Sequence, residues 1–213
     1  MPAQPDYTRR YTVEEYFALE EASDIRHEYY HGEIFPLDGP NGPEAMAGAT
    51  FAHNTIKQNC VMALRQGLRG RGCRVFDENV RLRIDANDLF TYPDVMVTCA
   101  PVDQHQTRVV HEPTLIIEVL SDSTELRDRG WKFQQYQLLP SLRQYVLISQ
   151  RQMLIESFRL NERDTWELET LRQPTDMLFF PSLAVAVTVA DVYEEVGLAP
   201  LRLAETFAPK LPD

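Results

Sequence analysis

One acidic residue, Glu118, stands inside an otherwise apolar run at residues 115–120, Leu-Ile-Ile-Glu-Val-Leu. A continuous apolar run of this length is typical of a central β-strand covered on both faces. A carboxylate in such a strand loses its hydration, and this cost has to be offset by a cation. The cation is either a basic side chain or a divalent metal shared with a second acid. The chain therefore has to fold around a buried charge.

A second acid stands in a similar setting. Asp94 follows Pro93 and precedes the apolar residues at 95–97, which indicates another strand. Two adjacent strands can place Asp94 and Glu118 side by side, where two carboxylates offer the oxygen ligands that Mg²⁺ prefers. A salt bridge from an arginine to Glu118 is the alternative at this stage.

The remaining pattern predicts one mixed α/β domain, with a mixed β-sheet flanked by helices and preceded by an N-terminal helix and hairpin. The chain has 213 residues, 44% of them apolar, which suffices for one sizeable core. We expect this domain over residues 11–198, with tails at 1–10 and 199–213. Expected helices cover residues 12–22, 53–68, 123–138 and 189–196. Expected strands cover 28–37 (a hairpin feeding a loop at 36–48), 74–84, 89–97, 115–120, 145–148, 153–158 and 166–171.

Composition restricts the setting of the protein. The three cysteines, Cys60, Cys73 and Cys99, include no C-x-x-C pair, which favours a reducing compartment over a disulfide framework or a cysteine zinc site. No apolar segment is long enough for a membrane span, and the first ten residues lack the apolar core of a signal peptide. We therefore expect a cytoplasmic protein with no membrane partner.

The formal net charge of −11 argues against binding nucleic acid through bulk charge. The acidic excess is concentrated at the two ends of the chain, whereas residues 57–83, here called the basic segment, carry a local positive excess. Its basic residues are Lys57, Arg65, Arg69, Arg71, Arg74, Arg81 and Arg83, against Asp77 and Glu78. The basic segment is either a solvated helix face and strand edge or a strip that contacts phosphates.

Residues 27–31 read His-Glu-Tyr-Tyr-His, a literal H-E-x-x-H motif. In zinc peptidases this motif lies on a helix, where His27 and His31 would bind the metal and Glu28 would act as the general base. Here Gly32 follows at once and the two tyrosines favour a strand. The zinc-peptidase hypothesis is thus the weakest of the three that the sequence suggests.

Pro93-Asp94 followed by Glu118 in an apolar strand resembles the metal-binding part of the PD-(D/E)XK nuclease fold. In that family two acids hold Mg²⁺, and a lysine two residues after the second acid orients the attacking water. Here that position is Leu120. The chain has three lysines, Lys57, Lys132 and Lys210, and Lys132 lies on the helix expected directly after the Glu118 strand. Its side chain could lean back over the end of that strand and replace the missing lysine.

The order of motifs is similar to that of the Uma-two family of bacterial endonucleases, a PD-(D/E)XK branch with its lysine on the helix. The matching pieces are Tyr11 to Tyr16, Glu28 to Glu33, His53, Tyr92 to Val95, Ile117 to Ser121, Ser123-Thr124, Asp128, Lys132, Tyr136 and Gln144 to Ile148. The resemblance covers residues 11–196. One departure is Gln144-Tyr145-Val146, where the family usually has Glu-Tyr-Trp.

This resemblance implies a restriction-endonuclease-like core and a Mg²⁺ or Mn²⁺ ion bound by Asp94, Glu118 and the Val119 carbonyl. Glu28 would close the site through a water, and Lys132 would position the attacking water. Contacts to nucleic acid, expected to be DNA, would come from His53, Lys57, Ser121, Arg81 and Arg83. For His53, capping of its own helix is an equal alternative.

Two classes of function follow. The first is a metal-dependent endonuclease that hydrolyses phosphodiester bonds of DNA. The second is a catalytically silent nuclease-like domain that binds nucleic acid or a partner protein. A homodimer is expected by analogy, since a single-domain nuclease that cuts two strands commonly pairs with itself.

Overall fold

The computed structural model describes residues 5–37 and 50–198. The helices are α1 (Val13–Ala22), α2 (Phe51–Gly67), α3 (Pro101–Gln104), α4 (Glu125–Arg127), α5 (Phe133–Tyr136) and α6 (Val189–Val192). A π-helical turn, Asp128–Lys132, joins α4 to α5. The strands are β1 (His27–Tyr30), β2 (Glu33–Pro36), β3 (Arg74–Asp77), β4 (Arg81–Ile84), β5 (Leu89–Thr91), β6 (Val95–Thr98), β7 (Val109–Val110), β8 (Leu115–Leu120), β9 (Gln144–Ser149), β10 (Ile155–Leu160), β11 (Trp166–Leu171), β12 (Met177–Phe180) and β13 (Val185–Thr188).

A six-stranded mixed sheet forms the centre of the described structure, in the order β11-β10-β9-β8-β6-β3. Strands β8 and β9 are parallel, and the other neighbours are antiparallel. All six residues of β8 are buried, as its apolar sequence predicts. Helix α2 packs on one face through Ile56, Cys60 and Leu64. Tyr136 of α5 packs on the other face.

A second, five-stranded sheet has the order β2-β1-β5-β4-β7. Helix α1 covers it through Tyr16, whose ring lies 5.2 Å from that of Tyr29 and 5.5 Å from that of Phe90. A Thr12 capping box begins α1, since the Thr12 side chain accepts from the Glu15 N–H and Glu15 accepts from the Thr12 N–H. The predicted N-terminal helix and hairpin are therefore present, and they bring β1 beside β5.

Two predicted strands, 74–84 and 89–97, are each divided between the two sheets. The chain leaves the six-stranded sheet after β3, turns at 78–80 and enters the five-stranded sheet as β4. It returns between β5 and β6, where Pro93 has no N–H to donate to a ladder. Both predicted strands were wrong as continuous elements, because an alternating pattern persists when a chain changes sheets.

The helix predicted at 123–138 is also divided, and Leu126 in its first half is almost fully exposed. The π-helical turn shifts the helical phase by one residue, so a single 3.6-residue period cannot describe both halves. The hairpin β12–β13 was not predicted. The predicted helix at 189–196 is regular only over α6. Most of the expected loop at 36–48, the first four residues and the tail at 199–213 lie outside the described residues.

Cys73 and Cys99 form a disulfide with a Cα–Cα distance of 4.1 Å, which corrects the expectation of unpaired thiols. They stand just outside the paired residues Arg74 and Thr98 of β3 and β6, so the sheet register brings them together. Cys60 is free and buried. Among the helices of the described residues, none is long and apolar enough to cross a membrane.

Candidate active site

The two acids singled out from the sequence meet at one end of the six-stranded sheet. The Asp94 N–H donates to Glu118 Oε2 at 3.1 Å, and the Val119 N–H donates to Asp94 Oδ2 at 2.7 Å. This exchange follows from the antiparallel register of β6 and β8, in which Val95 lies opposite Ile117. The carboxylates are therefore neighbours.

Lys132 reaches the same acids from the helical side. Its ammonium Nζ lies 3.0 Å from Glu118 Oε1 and 3.0 Å from Asp128 Oδ1. The Tyr136 hydroxyl also donates to Glu118 Oε1, at 2.8 Å. Lys132 and Asp128 are the two ends of the π-helical turn, and π turns within helices are frequent at functional sites. The structure thus places Lys132 where the resemblance implied a relocated lysine.

Glu28 approaches from the other sheet. It is buried on β1, accepts a hydrogen bond from the Thr91 hydroxyl and forms an ion pair with Arg127. The Arg127 guanidinium also lies 4.9 Å from the centre of the Trp131 ring. Neither Arg127 nor Thr91 was singled out from the sequence. A signal for Arg127 was its position five residues before Lys132, at the end of α4 and directly before the π-helical turn.

His53 faces Asp94 from the start of α2, with Nε2 at 3.3 Å from Asp94 Oδ2. The N-cap of α2 is Thr50, whose hydroxyl accepts from the His53 N–H. His53 therefore does not cap its own helix, which removes that alternative. The side chains of His53 and Asp94 are 15% and 17% exposed, whereas that of Glu118 is 3% exposed. Solvent reaches the acid pair from the side of Asp94.

Burial and neighbouring charges shift the pKa values of Glu118 and Asp94 in opposite directions. Burial raises the pKa of Glu118 above its ordinary value, against the opposing charge of Lys132 and with further upward contributions from Asp128 and Asp94. Burial also opposes ionisation of Asp94, but the hydrogen bond and charge of His53 lower its pKa overall. Burial acts to lower the pKa of Lys132, yet the charges of Glu118 and Asp128 raise it well above its ordinary value. These two charges favour the protonated ammonium form of Lys132.

The donor chemistry of the acid pair fits a hard divalent cation. Mg²⁺ is commonly held by one or two carboxylates, with water and substrate oxygens completing its shell. Within residues 5–37 and 50–198 no group of three or more His, Cys, Asp or Glu side chains forms a metal cluster. Metal binding by Asp94 and Glu118 stays a prediction, as does a role for the Val119 carbonyl.

The predicted nucleic-acid contacts other than His53 are engaged with protein groups. Lys57 forms an ion pair with Glu78. Arg81 donates to the Tyr92 hydroxyl at 2.6 Å, and Arg83 pairs with Asp85. The Ser121 hydroxyl lies 3.0 Å from those of Ser123 and Thr124. The structure does not gather these residues at the acid pair, and their contact with nucleic acid stays a prediction.

The H-E-x-x-H motif lies on a strand. His27 to Tyr30 form β1, and His31 occupies a turn with φ of 49°. The His27 ring is buried and its Nδ1 lies 2.8 Å from Glu20 Oε1. Because a zinc peptidase needs both histidines one turn apart on a helix, the zinc-peptidase hypothesis is wrong for this chain.

The fold and the acid–lysine arrangement together define a nuclease-like α/β protein. A crystal structure described as a putative nuclease belonging to DUF820 from Anabaena variabilis ATCC 29413 has the same fold, with a TM-score of 0.67 and 19% identity over 87% of this chain and 99% of that one. The chain belongs to the Uma2 family, described as "Putative restriction endonuclease", whose sequence profile matches residues 13–190.

Two relatives are uncharacterized proteins of Synechocystis sp. strain PCC 6803. One is 33% identical over 87% of this chain and 92% of its own length. The other is 32% identical over 77% of this chain and 89% of its own length. The resemblance derived from the sequence motifs is therefore confirmed at the level of the family and the fold.

Proposed function

We propose that the protein is a metal-dependent endonuclease that hydrolyses phosphodiester bonds of DNA, with Asp94 and Glu118 holding Mg²⁺ or Mn²⁺. The observation that carries the proposal is the contact of Lys132 Nζ with Glu118 Oε1 at 3.0 Å, beside Asp94. Two carboxylates and one lysine at the end of a buried strand are the groups that phosphodiester hydrolysis with a divalent ion requires. Family membership and the nuclease-like fold support the same class of reaction.

Each residue of the site has a defined task in this proposal. A bound divalent ion would lower the pKa of a water molecule and polarise the phosphodiester. Lys132 cannot accept a proton, because its pKa is raised well above the ordinary value by the charges of Glu118 and Asp128, which outweigh the opposing effect of burial. It would instead orient the attacking water and offset the negative charge that develops on the phosphate. The Tyr136 hydroxyl fixes the orientation of Glu118 by donating to Oε1.

The exposure of the site residues indicates the side from which a substrate would approach. Glu118 and Lys132 are buried, whereas Asp94 and His53 reach solvent, so the scissile phosphate would arrive on the Asp94 side. His53 would meet that phosphate while it holds the Asp94 carboxylate. On the opposite side Glu28 is covered by Arg127, which is partly exposed and closes the acid cluster.

The test is cleavage of supercoiled and single-stranded DNA by the full chain in Mg²⁺, in Mn²⁺ and in EDTA. We expect nicking with either metal and none in EDTA. The variant Asp94→Asn should lose at least about 100-fold in rate, because it removes a charged metal ligand. Asp164→Asn is a matched control: Asp164 is exposed in a turn with φ of 55°, which asparagine adopts readily.

An inactive wild-type chain, or an Asp94→Asn variant as active as Asp164→Asn, would overturn the endonuclease proposal. Cleavage in Mg²⁺ or Mn²⁺ together with no cleavage in EDTA is the expected result and supports the proposal. Light scattering of the eluted protein would test the homodimer that the analogy with two-strand cleavage suggests.

One observation favours the second candidate, a catalytically silent domain that binds nucleic acid or protein. Both oxygens of Glu118 already accept hydrogen bonds from protein groups, Oε1 from Lys132 and Tyr136 and Oε2 from the Asp94 N–H. A metal would have to share these oxygens. DNA binding without cleavage under all three metal conditions would support this candidate.

A further inference from the structure

The structure divides the basic segment into two parts with different surroundings. Lys57, Arg81 and Arg83 have acidic partners. Arg65, Arg69, Arg71 and Arg74 have no carboxylate within ion-pair distance among the described residues. Within the basic segment, this second group is the positive charge that no carboxylate of the described residues neutralises.

Three of these four arginines line one open cavity of about 390 Å³ at the C-terminal end of α2. Arg65 and Arg69 enter it from the helix side and Arg74 from the start of β3, and no acidic residue lines it. Arg74 donates to the carbonyls of residues 103, 104 and 106, whereas Arg65 and Arg69 are exposed, with Arg65 donating to the Val75 carbonyl at 3.4 Å. The cavity therefore presents two exposed guanidinium groups and one half-buried guanidinium group to an anion.

The loop that borders the cavity leaves room for a ligand. Gly70 and Gly72 both line it with positive φ, 77° and 73°, and a Cβ added at either would meet nothing within 4 Å. Such backbone can approach a phosphate closely. A ligand that carries phosphate oxygens matches both the charge of the arginines and the open backbone.

The cavity and the candidate active site lie at opposite ends of α2. His53, which contacts Asp94, lies in the first turn of α2, and Arg65 follows twelve residues later, about 18 Å along the helix axis. Residues 45–76 contain no Asp or Glu, so α2 itself carries no acidic side chain, and Glu78 beside it is paired with Lys57. A separation of about 18 Å corresponds to about five base pairs along a duplex.

We propose that the cavity formed by Arg65, Arg69 and Arg74 binds the phosphate backbone of nucleic acid about five base pairs away from the acid pair. The inference rests on the proposed function for its substrate class. It gives that function an anchor: phosphates held at the far end of α2 would set the position of the strand at Asp94. A free phosphate ion or a nucleotide is the competing ligand.

The test measures binding without cleavage, so that it stays separate from the endonuclease proposal. Fluorescence anisotropy of a labelled duplex of about 30 base pairs is recorded in EDTA over a range of salt concentrations. The variant Arg65→Gln/Arg69→Gln should bind at least about fivefold more weakly at ~0.1 M salt, and the slope of log K against log [salt] should fall by about 2. Arg163→Gln, at an exposed arginine of the β10–β11 turn, is the control for bulk charge and should stay within about twofold of wild type.

Thermal unfolding of the double variant should match wild type, because both arginines are exposed. An equal loss of affinity in Arg163→Gln, or no duplex binding by wild type, would overturn the inference. So would calorimetry in which inorganic phosphate binds wild type and not the double variant while duplex affinity is unchanged. Loss of cleavage in Asp94→Asn with full duplex binding in EDTA supports both proposals. Absence of cleavage in every variant would overturn only the endonuclease.

Discussion

Lys132 and Glu118 form a buried ion pair between the π-helical turn and the central strand, with Nζ 3.0 Å from Oε1. The same ammonium lies 3.0 Å from Asp128 Oδ1, so one cation serves two buried carboxylates. A buried pair of this kind adds little net stability compared with apolar packing, but loss of one partner leaves a charge without compensation. The pair therefore makes the position of the lysine a requirement of the fold as well as of the proposed chemistry.

Replacing Lys132 by methionine should destabilise the protein by about 3 to 5 kcal/mol, because Glu118 and Asp128 would be left without their cation. Urea unfolding followed by circular dichroism measures this change. Arg163→Met removes an exposed cation and should cost less than about 0.5 kcal/mol. Equal effects of the two substitutions would mean that Lys132 does not compensate the buried acids.

The contact between His53 and Asp94 can be tested by measuring the pKa of His53. Burial lowers the pKa of His53, but the hydrogen bond and charge of Asp94 outweigh it, so that the pKa is raised overall. In Asp94→Asn the charge of Asp94 is lost, so burial and Lys57, which lower the pKa, are opposed by the charge of Glu118. The pKa of His53 should therefore fall from its raised value in wild type.

An NMR pH titration of the histidine rings, with His53→Gln to identify the resonance, measures this shift. Asp164→Asn should leave the pKa of His53 unchanged, since Asp164 lies in a distant exposed turn. An unchanged value in Asp94→Asn would show that the two side chains are not in contact in solution.

The acid pair could be predicted from the sequence because a buried acid stands out among the apolar residues next to it in the chain. Glu118 is one acid in an apolar strand, and Asp94 follows a proline at the start of another. Lys132 could be found because the chain has few lysines and this one follows the Glu118 strand. The structure brings Glu28, Asp94, Glu118 and Lys132 into one cluster. These assignments depended on strand neighbourhood, which a regular sheet reproduces reliably.

Three other features of the structure have no local sequence pattern that predicts them. Arg127 of α4 pairs with Glu28 of the five-stranded sheet, and its position five residues before Lys132 does not by itself indicate that partner. Residues 74–84 pass from the six-stranded sheet to the five-stranded sheet, and their apolar residues alternate throughout. The two-residue period of the sequence therefore gives no sign that the chain changes sheets. The Cys73–Cys99 disulfide depends on the register of β3 and β6, which cysteine spacing alone cannot give.

The Arg127–Glu28 pair should contribute more than an exposed ion pair. Glu28 is 1% exposed and Arg127 37%, whereas Arg151 and Asp122 are 69% and 67% exposed. Arg127→Ala should cost about 1 to 3 kcal/mol, because a buried carboxylate oxygen loses its partner. Arg151→Ala should cost less than about 1 kcal/mol. In a Glu28→Gln background Arg127→Ala should reduce the free energy of unfolding by less than it does in wild type. Urea unfolding of wild type, the two single variants and the double variant measures this difference, and equal effects of Arg127→Ala in both backgrounds would show that the two side chains are not coupled.

The three cysteines should differ in reactivity. Burial raises the pKa of the Cys60 thiol to about 12, so at pH 8 almost no thiolate is available to a thiol reagent. Without reductant, the folded chain should show no fast-reacting thiol and the urea-unfolded chain should show one. After reduction the unfolded chain should show three, and unreduced, unfolded Cys73→Ser should show two. Three thiols in the unfolded, unreduced wild type would contradict the Cys73–Cys99 bond.

The close approach of α2 to the β12–β13 hairpin can be tested at a glycine. A Cβ at Gly67 would lie 2.9 Å from both γ-carbons of Val185, so Gly67→Ala should destabilise the protein by about 1 to 3 kcal/mol through overpacking. At Gly130, within the π-helical turn, an added Cβ meets nothing within 4 Å. Gly130→Ala should therefore stabilise the protein by up to about 1 kcal/mol, since alanine restricts the unfolded chain. Urea unfolding of both variants measures the two changes, and their opposite signs are the expected result because the substitutions are chemically identical. A stabilising Gly67→Ala would mean that the hairpin does not pack on α2 as described.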